Sequence, residues 1–205
     1  MKILLLRHGT TEYNVEKRYQ GFSDIPLSIQ GENDIIAAPF TPKKVFVSPL
    51  QRARRTCQLI FPNSTQIPVD GLKEMNFGIF EGHNYIEMEN WKSYRDWVEG
   101  GGIGLCPEGE DYTMFCNRVC PTFKSLLNDA FKNDEAYLVI VAHAGVQMAV
   151  MEHFSSKQLN SRHEWIGPHA GGYLLETDHE QWYNEHKFNF IETVQFTKAK
   201  KSCKF

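Results

Sequence analysis

The chain has 205 residues, 41% of them hydrophobic and 23% charged, with a formal net charge of −3. That length allows one large α/β domain with a sizeable core, and the slightly acidic balance argues against a nucleic-acid partner, which wants a basic face. No stretch approaches the ~20 apolar residues of a membrane span. The N-terminal apolar run is too short for a secretory signal core. Five scattered cysteines suit a reducing cytoplasm better than a disulfide framework. Cys116 and Cys120 stand one helical turn apart, but no second pair at zinc-like spacing supports a metal role. The one basic cluster, Lys198, Lys200, Lys201 and Lys204, reads as a solvated terminus.

In chain order, Lys2 to Leu6 is an apolar run that predicts a buried strand, and it stops at Arg7-His8-Gly9. That order delivers His8 at the strand's carboxyl end, where open α/β sheets bind ligands. Ser28 to Ala38 has a helical pattern. A second strand is predicted over Lys44 to Val47, and a helix over Pro49 to Ile60 carries Arg52, Arg54 and Arg55 in its first turns. A short strand over Gln66 to Val69 precedes Glu74. Asn84 to Glu99 is helical in pattern, carries Tyr85, Trp91, Tyr94 and Trp97, and runs into Gly100-Gly101-Gly102. We expect a helical lid insertion over about 84–110, standing above the sheet edge, where such segments shape substrate pockets.

A long helix is predicted over Tyr112 to Phe131, a strand over Ala136 to Ala142, and a helix over Val146 to His153. A strand follows over Tyr173 to Glu176, with a last candidate near Gln181 to Asn189. Strands alternating with helices argue for a mostly parallel sheet covered on both faces. No linker or repeat divides the chain, so residues 1–205 are expected to form a single domain.

His143 repeats the placement of His8, since it follows an apolar strand and precedes Ala144-Gly145 and a helix, whose amino end favours an anion. Two imidazoles, Arg7 and Arg52 thus converge on one sheet edge. Arginines repel a cation, and they bind phosphate through paired hydrogen bonds. Arg7 also disfavours protonation of His8, leaving a neutral imidazole able to attack phosphorus. Glu74 is the leading proton donor for the leaving oxygen, with Glu81 as its local competitor. His83 and His169 are secondary candidates for lining the site. His153, His163, His179 and His186 read as surface residues.

The motifs Leu6-Arg7-His8-Gly9-Thr10, Gln20-Gly21-Phe22-Ser23-Asp24, Ser48-Pro49-Leu50-Gln51-Arg52, Leu72-Lys73-Glu74 and the block around His143 resemble the histidine phosphatase superfamily, in its phosphoglycerate-mutase-like branch. They occur in family order over roughly residues 1 to 176. The resemblance implies a three-layer α/β/α sandwich, mostly parallel, with a helical lid. It implies His8 as the nucleophile that becomes phosphohistidine, and Arg7, Arg52 and His143 as ligands of the transferring phosphoryl group. Asn14 would hold a phosphate oxygen, Gln20 and Gly21 would line the entrance, and Glu74 would serve as acid and then base. No metal and no cofactor are implied. Thr10 and Ala144 depart from the family's usual Glu or Gln and Gly, without removing a catalytic group; the Ala144 backbone N–H remains available to phosphate.

The stretches Phe77-Gly78-Ile79-Phe80-Glu81-Gly82 and Pro107-Glu108-Gly109-Glu110 resemble the small phosphatases, including α-ribazole phosphatases and broad-specificity relatives. The expected function is hydrolysis of a small phosphorylated metabolite, with α-ribazole phosphate as one candidate. Mutase-type transfer on a phosphoglycerate and a non-catalytic phospholigand-binding domain are the alternatives. The expected partner is the small phosphorylated substrate, with no nucleic acid and no membrane, and a homodimer is left open.

Overall fold

The computed structural model describes residues 1–198. Lys200, Lys201, Lys204 and Cys203 lie outside the described residues. The elements run β1 (Lys2–Arg7), α1 (Glu12–Val15), α2 (Ile29–Asp34), β2 (Lys44–Val47), α3 (Gln51–Ile60), β3 (Thr65–Pro68), α4 (Lys92–Glu99), α5 (Tyr112–Lys132), β4 (Tyr137–Ala142), α6 (Ala144–Phe154), β5 (Gly171–Glu176), α7 (His179–Glu185) and β6 (Asn189–Gln195). The strands form one six-stranded sheet in the order β3-β2-β4-β1-β5-β6. β3, β2, β4 and β1 are mutually parallel, β5 runs antiparallel to β1, and β6 antiparallel to β5.

Side chains alternate across a strand, so β1 feeds two cores. Ile3 and Leu5 join the side chains of α5, α6 and α7, whereas Leu4 and Leu6 pack with Ala53, Cys57 and Ile60 of α3 on the other face. This is the expected three-layer α/β/α sandwich. It also fixes the position of the site. The neighbouring strands β1 and β4 send their chains to opposite faces, and the crevice between two such strands is where α/β sheets bind ligands. The register pairs Arg7 with Ala142, so the next residues, His8 and His143, leave the sheet side by side.

Three expectations need correction. The segment near Gln181 to Asn189 is not a strand: Asp178 caps α7 through Gln181 N, His186 ends it at φ 51°, and β6 begins only at Asn189. The Ser28 to Ala38 pattern forms a helix only over α2, because Ile35 turns extended and the Ile36 N–H donates to the Phe196 carbonyl. Within the expected lid, residues 85–90 form turns, since Asn84 Oδ1 accepts from the Ile86 and Glu87 N–H groups, and helix begins only at Lys92.

Candidate active site

His8 is buried, with 3% exposure, and its backbone is held on both sides: its N–H donates to the Ala142 carbonyl (2.9 Å), and its carbonyl accepts from Ala170 N (3.1 Å). The imidazole is oriented by Nδ1, which lies 2.6 Å from the Gly9 carbonyl. A carbonyl only accepts, so Nδ1 carries the proton and Nε2 presents its lone pair. Gly9 N donates in turn to Thr56 Oγ1 (2.8 Å), which ties the turn after β1 to α3. Burial first, then the Arg52 and Arg7 charges, push the His8 pKa well below its ordinary value. The ring therefore stays neutral.

His143 caps α6, its ring centroid 5.2 Å from that of His8. Its Nε2 pairs with Ser48 Oγ at the end of β2 (2.7 Å), and its Nδ1 has no partner. Burial and the same two arginines lower its pKa as well. Arg7 Nη1 donates to the Gly167 carbonyl (3.2 Å). Arg52 is fully buried and donates to three carbonyls, those of Ser23 (2.8 Å), Gln20 (2.7 Å) and Gly21 (2.8 Å). Neither guanidinium has an ion pair among the described residues, and burial lowers the Arg52 pKa to about 10. A buried cation without a carboxylate is costly unless an anion completes the site.

The unpartnered atoms point the same way. Apart from Gln66 Oε1, the buried side-chain polar atoms without a hydrogen-bond partner among the described residues are Arg7 Nε, Arg52 Nε, His143 Nδ1 and His169 Nδ1. All four belong to residues gathered about His8; each arginine Nε is a donor, and each imidazole Nδ1 is one when it carries the ring's proton. His169 was only a secondary candidate in the sequence; the structure sets its ring 6.1 Å from that of His8, with a pKa lowered to about 4 by burial and by Arg7. His83 instead packs on Trp91, 4.9 Å between ring centroids.

Glu74, from the segment after β3, lies within electrostatic reach of the same two arginines. It is buried, and its carboxyl accepts from Met75 N (2.9 Å) and from Gly145 N in the first turn of α6 (3.0 Å). Burial outweighs these donors and both arginines, so its pKa is raised. Arg118 fixes the approach by donating to the carbonyls of Gly71, Lys73 and Glu74 while pairing with Glu110 (2.8 Å). A Cβ at Gly145 would stand 2.1 Å from Glu74 Oε1, so this close approach requires glycine. Glu81 is committed elsewhere: it accepts from Phe22 N (2.7 Å), Ser23 N (2.6 Å) and Phe77 N (3.1 Å), clamping the loop whose carbonyls hold Arg52. Gly21 sits inside that clamp, where a Cβ would meet the Met75 carbonyl at 2.1 Å.

Asn14 Oδ1 accepts from Thr11 N (3.1 Å), and Thr11 Oγ1 donates to Gln20 Oε1 (2.8 Å), so Asn14 and Gln20 are linked through one threonine. Arg54 and Arg55 are exposed, and Arg55 pairs with Glu32 (2.7 Å). Cys116 and Cys120 do share a side of α5, in hydrogen-bond contact with each other, and no group of three or more metal-type ligands is assembled among the described residues.

A cavity of about 230 Å³ opens beside Glu74, Ala144 and Gly145. Rings of Tyr19, Phe77, Trp97, Tyr112 and Phe115 line it. Trp97 comes from α4 and also packs on Tyr19 and Phe80, so the 84–110 segment both covers the body and walls the cavity. Arg162 and His163 are also in the lining, where His163 is exposed, as its sequence context suggested.

Comparison with known proteins agrees with this architecture. The chain is 35% identical over 136 residues to a protein named "Probable phosphoglycerate mutase GpmB" from Escherichia coli O1:K1, covering 61% of this chain and 62% of that relative. The chain thus spans about 62% of the length of the curated relatives it matches. The fold is that of the α-ribazole phosphatase from Shigella flexneri, with a TM-score of 0.80 at 21% identity over 96% of this chain and 98% of that one. It is also that of a phosphoglycerate mutase from Thermus thermophilus, with a TM-score of 0.70 at 24% identity over 95% and 98% of the two chains. No helix among the described residues is long and apolar enough to cross a membrane. The model of the histidine phosphatase superfamily, branch 1, matches residues 3–189, and the chain belongs to that family.

Proposed function

We propose that the chain is a phosphomonoesterase that works through a phosphohistidine on His8. The observation that carries this reading is the set of unpartnered buried donors on Arg7, Arg52 and His143 around a neutral imidazole. Nε2 of His8 attacks phosphorus with its lone pair as the bond from phosphorus to the ester oxygen breaks. The leaving oxygen takes the proton of the Glu74 carboxyl, which the raised pKa keeps available. Glu74, now a carboxylate, accepts a proton from the water that attacks phosphorus. The phosphorus–nitrogen bond breaks, inorganic phosphate forms, and neutral His8 is restored.

Arg7, Arg52 and His143 donate to the non-bridging oxygens, which is electrostatic stabilisation in a dry site. The Asn14 amide and the Ala144 N–H supply further donors at the phosphate, and Gln20 and Gly21 form the entrance. The guanidinium pair supplies the positive charge that a metal ion provides elsewhere, so the reaction needs no metal or cofactor. We place the protein in the cytoplasm, on the strength of Cys57, Cys106, Cys116 and Cys120 remaining free thiols.

The substrate is a small phosphorylated metabolite whose alcohol enters the ring-lined cavity. α-Ribazole phosphate heads the compounds to assay, because a neighbour of the same fold is named for it. Phosphoglycerate is the second, because the 35% identical relative bears a mutase name. The test is phosphate release from a monoester panel in the presence of chelator. Hydrolysis by the wild type and none by His8→Ala is expected. Ordinary turnover by His8→Ala would refute the role of His8, and isomerised phosphoglycerate without free phosphate would assign a mutase instead.

A further inference from the structure

Arg162 is the one charged side chain in the cavity lining outside the residues assigned to the phosphoryl group and to Glu74. It opens a single 3-10 turn, Arg162–Trp165, whose position is fixed at both ends. Ser161 and Glu164 form a capping box, and Trp165 is buried in the core. The guanidinium lies over the Tyr112 ring, 4.4 Å from its centroid, and Nη2 donates to the Gly101 carbonyl (2.6 Å) in the glycine turn that follows α4. Arg162 thereby joins the 84–110 segment to the cavity wall.

Those contacts use one of the five guanidinium donors. Other half-buried arginines of this chain are neutralised: Arg18 pairs with Glu87 (2.6 Å) and Arg118 with Glu110 (2.8 Å). Arg162 has no ion pair among the described residues, and Glu152, which faces the same ring, is taken by the Tyr112 hydroxyl (2.7 Å). A fixed cation without an ion pair, in a cavity walled largely by aromatic rings, suits one kind of guest: a ring that fills the apolar walls and an anionic group that meets the fork through two hydrogen bonds.

We propose that Arg162 reads a second anionic group on the leaving alcohol, so that the preferred substrates are phosphate monoesters of ring-bearing alcohols that carry a carboxylate or another anion. This rests on the phosphatase reading above, which places the leaving alcohol on the Glu74 side. Within the panel above, it ranks an anionic ring-bearing ester ahead of α-ribazole phosphate, whose alcohol is neutral. His163, beside Arg162, has its pKa lowered by burial and by that charge, and so leaves the guanidinium as the cation that the guest meets.

The test compares 4-carboxyphenyl phosphate with 4-carbamoylphenyl phosphate, its neutral isostere, in the wild type, Arg162→Gln and Arg162→Lys. The wild type is expected to favour the carboxylate in kcat/KM by roughly tenfold or more, the size of a charge-assisted hydrogen-bonded pair. Arg162→Gln should lower that ratio by roughly tenfold relative to the wild type, and Arg162→Lys, which keeps the charge without the fork, should fall between. Comparing ratios between variants cancels the different acidities of the two phenols. A second arm uses binding alone: calorimetry with 4-hydroxybenzoate and 4-hydroxybenzamide, the product alcohols, needs no catalysis. Equal affinity of the wild type for the two alcohols, or a ratio of kcat/KM that Arg162→Gln leaves unchanged, overturns the proposal. Turnover that survives His8→Ala would instead refute the phosphohistidine reading, and the binding arm would still decide the role of Arg162.

Discussion

Replacing Gly145 by alanine adds one methyl group and should cripple the acid–base step. The new Cβ would stand 2.1 Å from Glu74 Oε1, 3.0 Å from its carboxyl carbon and 3.2 Å from Phe115 Cζ. Ordinary van der Waals contact begins at 3.4 Å, so the carboxyl must retreat by on the order of 1 Å or more while Phe115 blocks one direction of relief. A displacement of that size costs on the order of 10²-fold in rate, consistent with the ~10²–10⁴-fold contribution of a positioned general acid. Stability should change less, because alanine is favoured over glycine within a helix by ~1 kcal/mol, which offsets part of the strain.

The assay exploits the leaving group. An alkyl phosphate needs a proton on its departing oxygen, whereas 4-nitrophenolate leaves without one. With 4-nitrophenyl phosphate, Gly145→Ala should still release a burst of about one nitrophenolate per chain. Steady turnover should then slow, because Glu74 is also needed to activate water. With an alkyl phosphate, both burst and turnover should fall by the full factor. Unchanged alkyl-phosphate turnover, or an equal loss of the first step for both esters, would refute this reasoning.

Thr56→Val should destabilise the fold by ~1–3 kcal/mol in urea unfolding, because it leaves the buried Gly9 N–H without its acceptor; a loss below a few tenths of a kcal/mol would contradict it. The histidines give a pH signature. His8 and His143 have lowered pKa values, so below about pH 6.5 the unfolded chain takes up protons that the folded chain refuses, and stability falls as pH falls. Glu74, with a raised pKa, acts oppositely: from about pH 4.3 upward the folded chain holds the extra proton, and stability falls as pH rises through that window. Each group contributes up to ~1.4 kcal/mol per pH unit, so denaturation curves between pH 4.5 and 6.5 should steepen in Glu74→Gln and flatten in His8→Gln. Slopes that neither variant moves would show that these groups titrate alike in both states.

Much of the candidate site was readable because its residues sit at strand ends, where an apolar run breaks on a polar residue. His8, Ser48 and His143 each follow such a run, and the register of β1, β2 and β4 brings the three breaks together. α3 was legible for a similar reason, since Arg52, Thr56 and Ile60 repeat at four-residue spacing and all face inward. Other features left no linear trace. Only Trp182 of α7 is buried, so the helix writes no apolar stripe, and Trp182, Tyr183 and Phe188 mimic a strand. The 84–99 aromatics have helical spacing, yet Asn84 turns the chain and Trp91 precedes the helix rather than lying in it. Glu81 could be separated from Glu74 only by seeing which backbone N–H groups each accepts. His169 and Arg162 come from the connection between α6 and β5, which has no periodicity, and their meaning appears only when His8 and Tyr112 stand beside them.

The direct test is to trap the intermediate. The protein is mixed with a fast monoester, quenched in alkali, where phosphohistidine survives, and digested for mass spectrometry, with Gly145→Ala included to slow hydrolysis of the adduct. The account requires one phosphoryl group on the peptide that contains His8, accumulating further in Gly145→Ala and absent from His8→Ala. A phosphoryl group on any other residue, or full turnover with no covalent adduct in either protein, would contradict it.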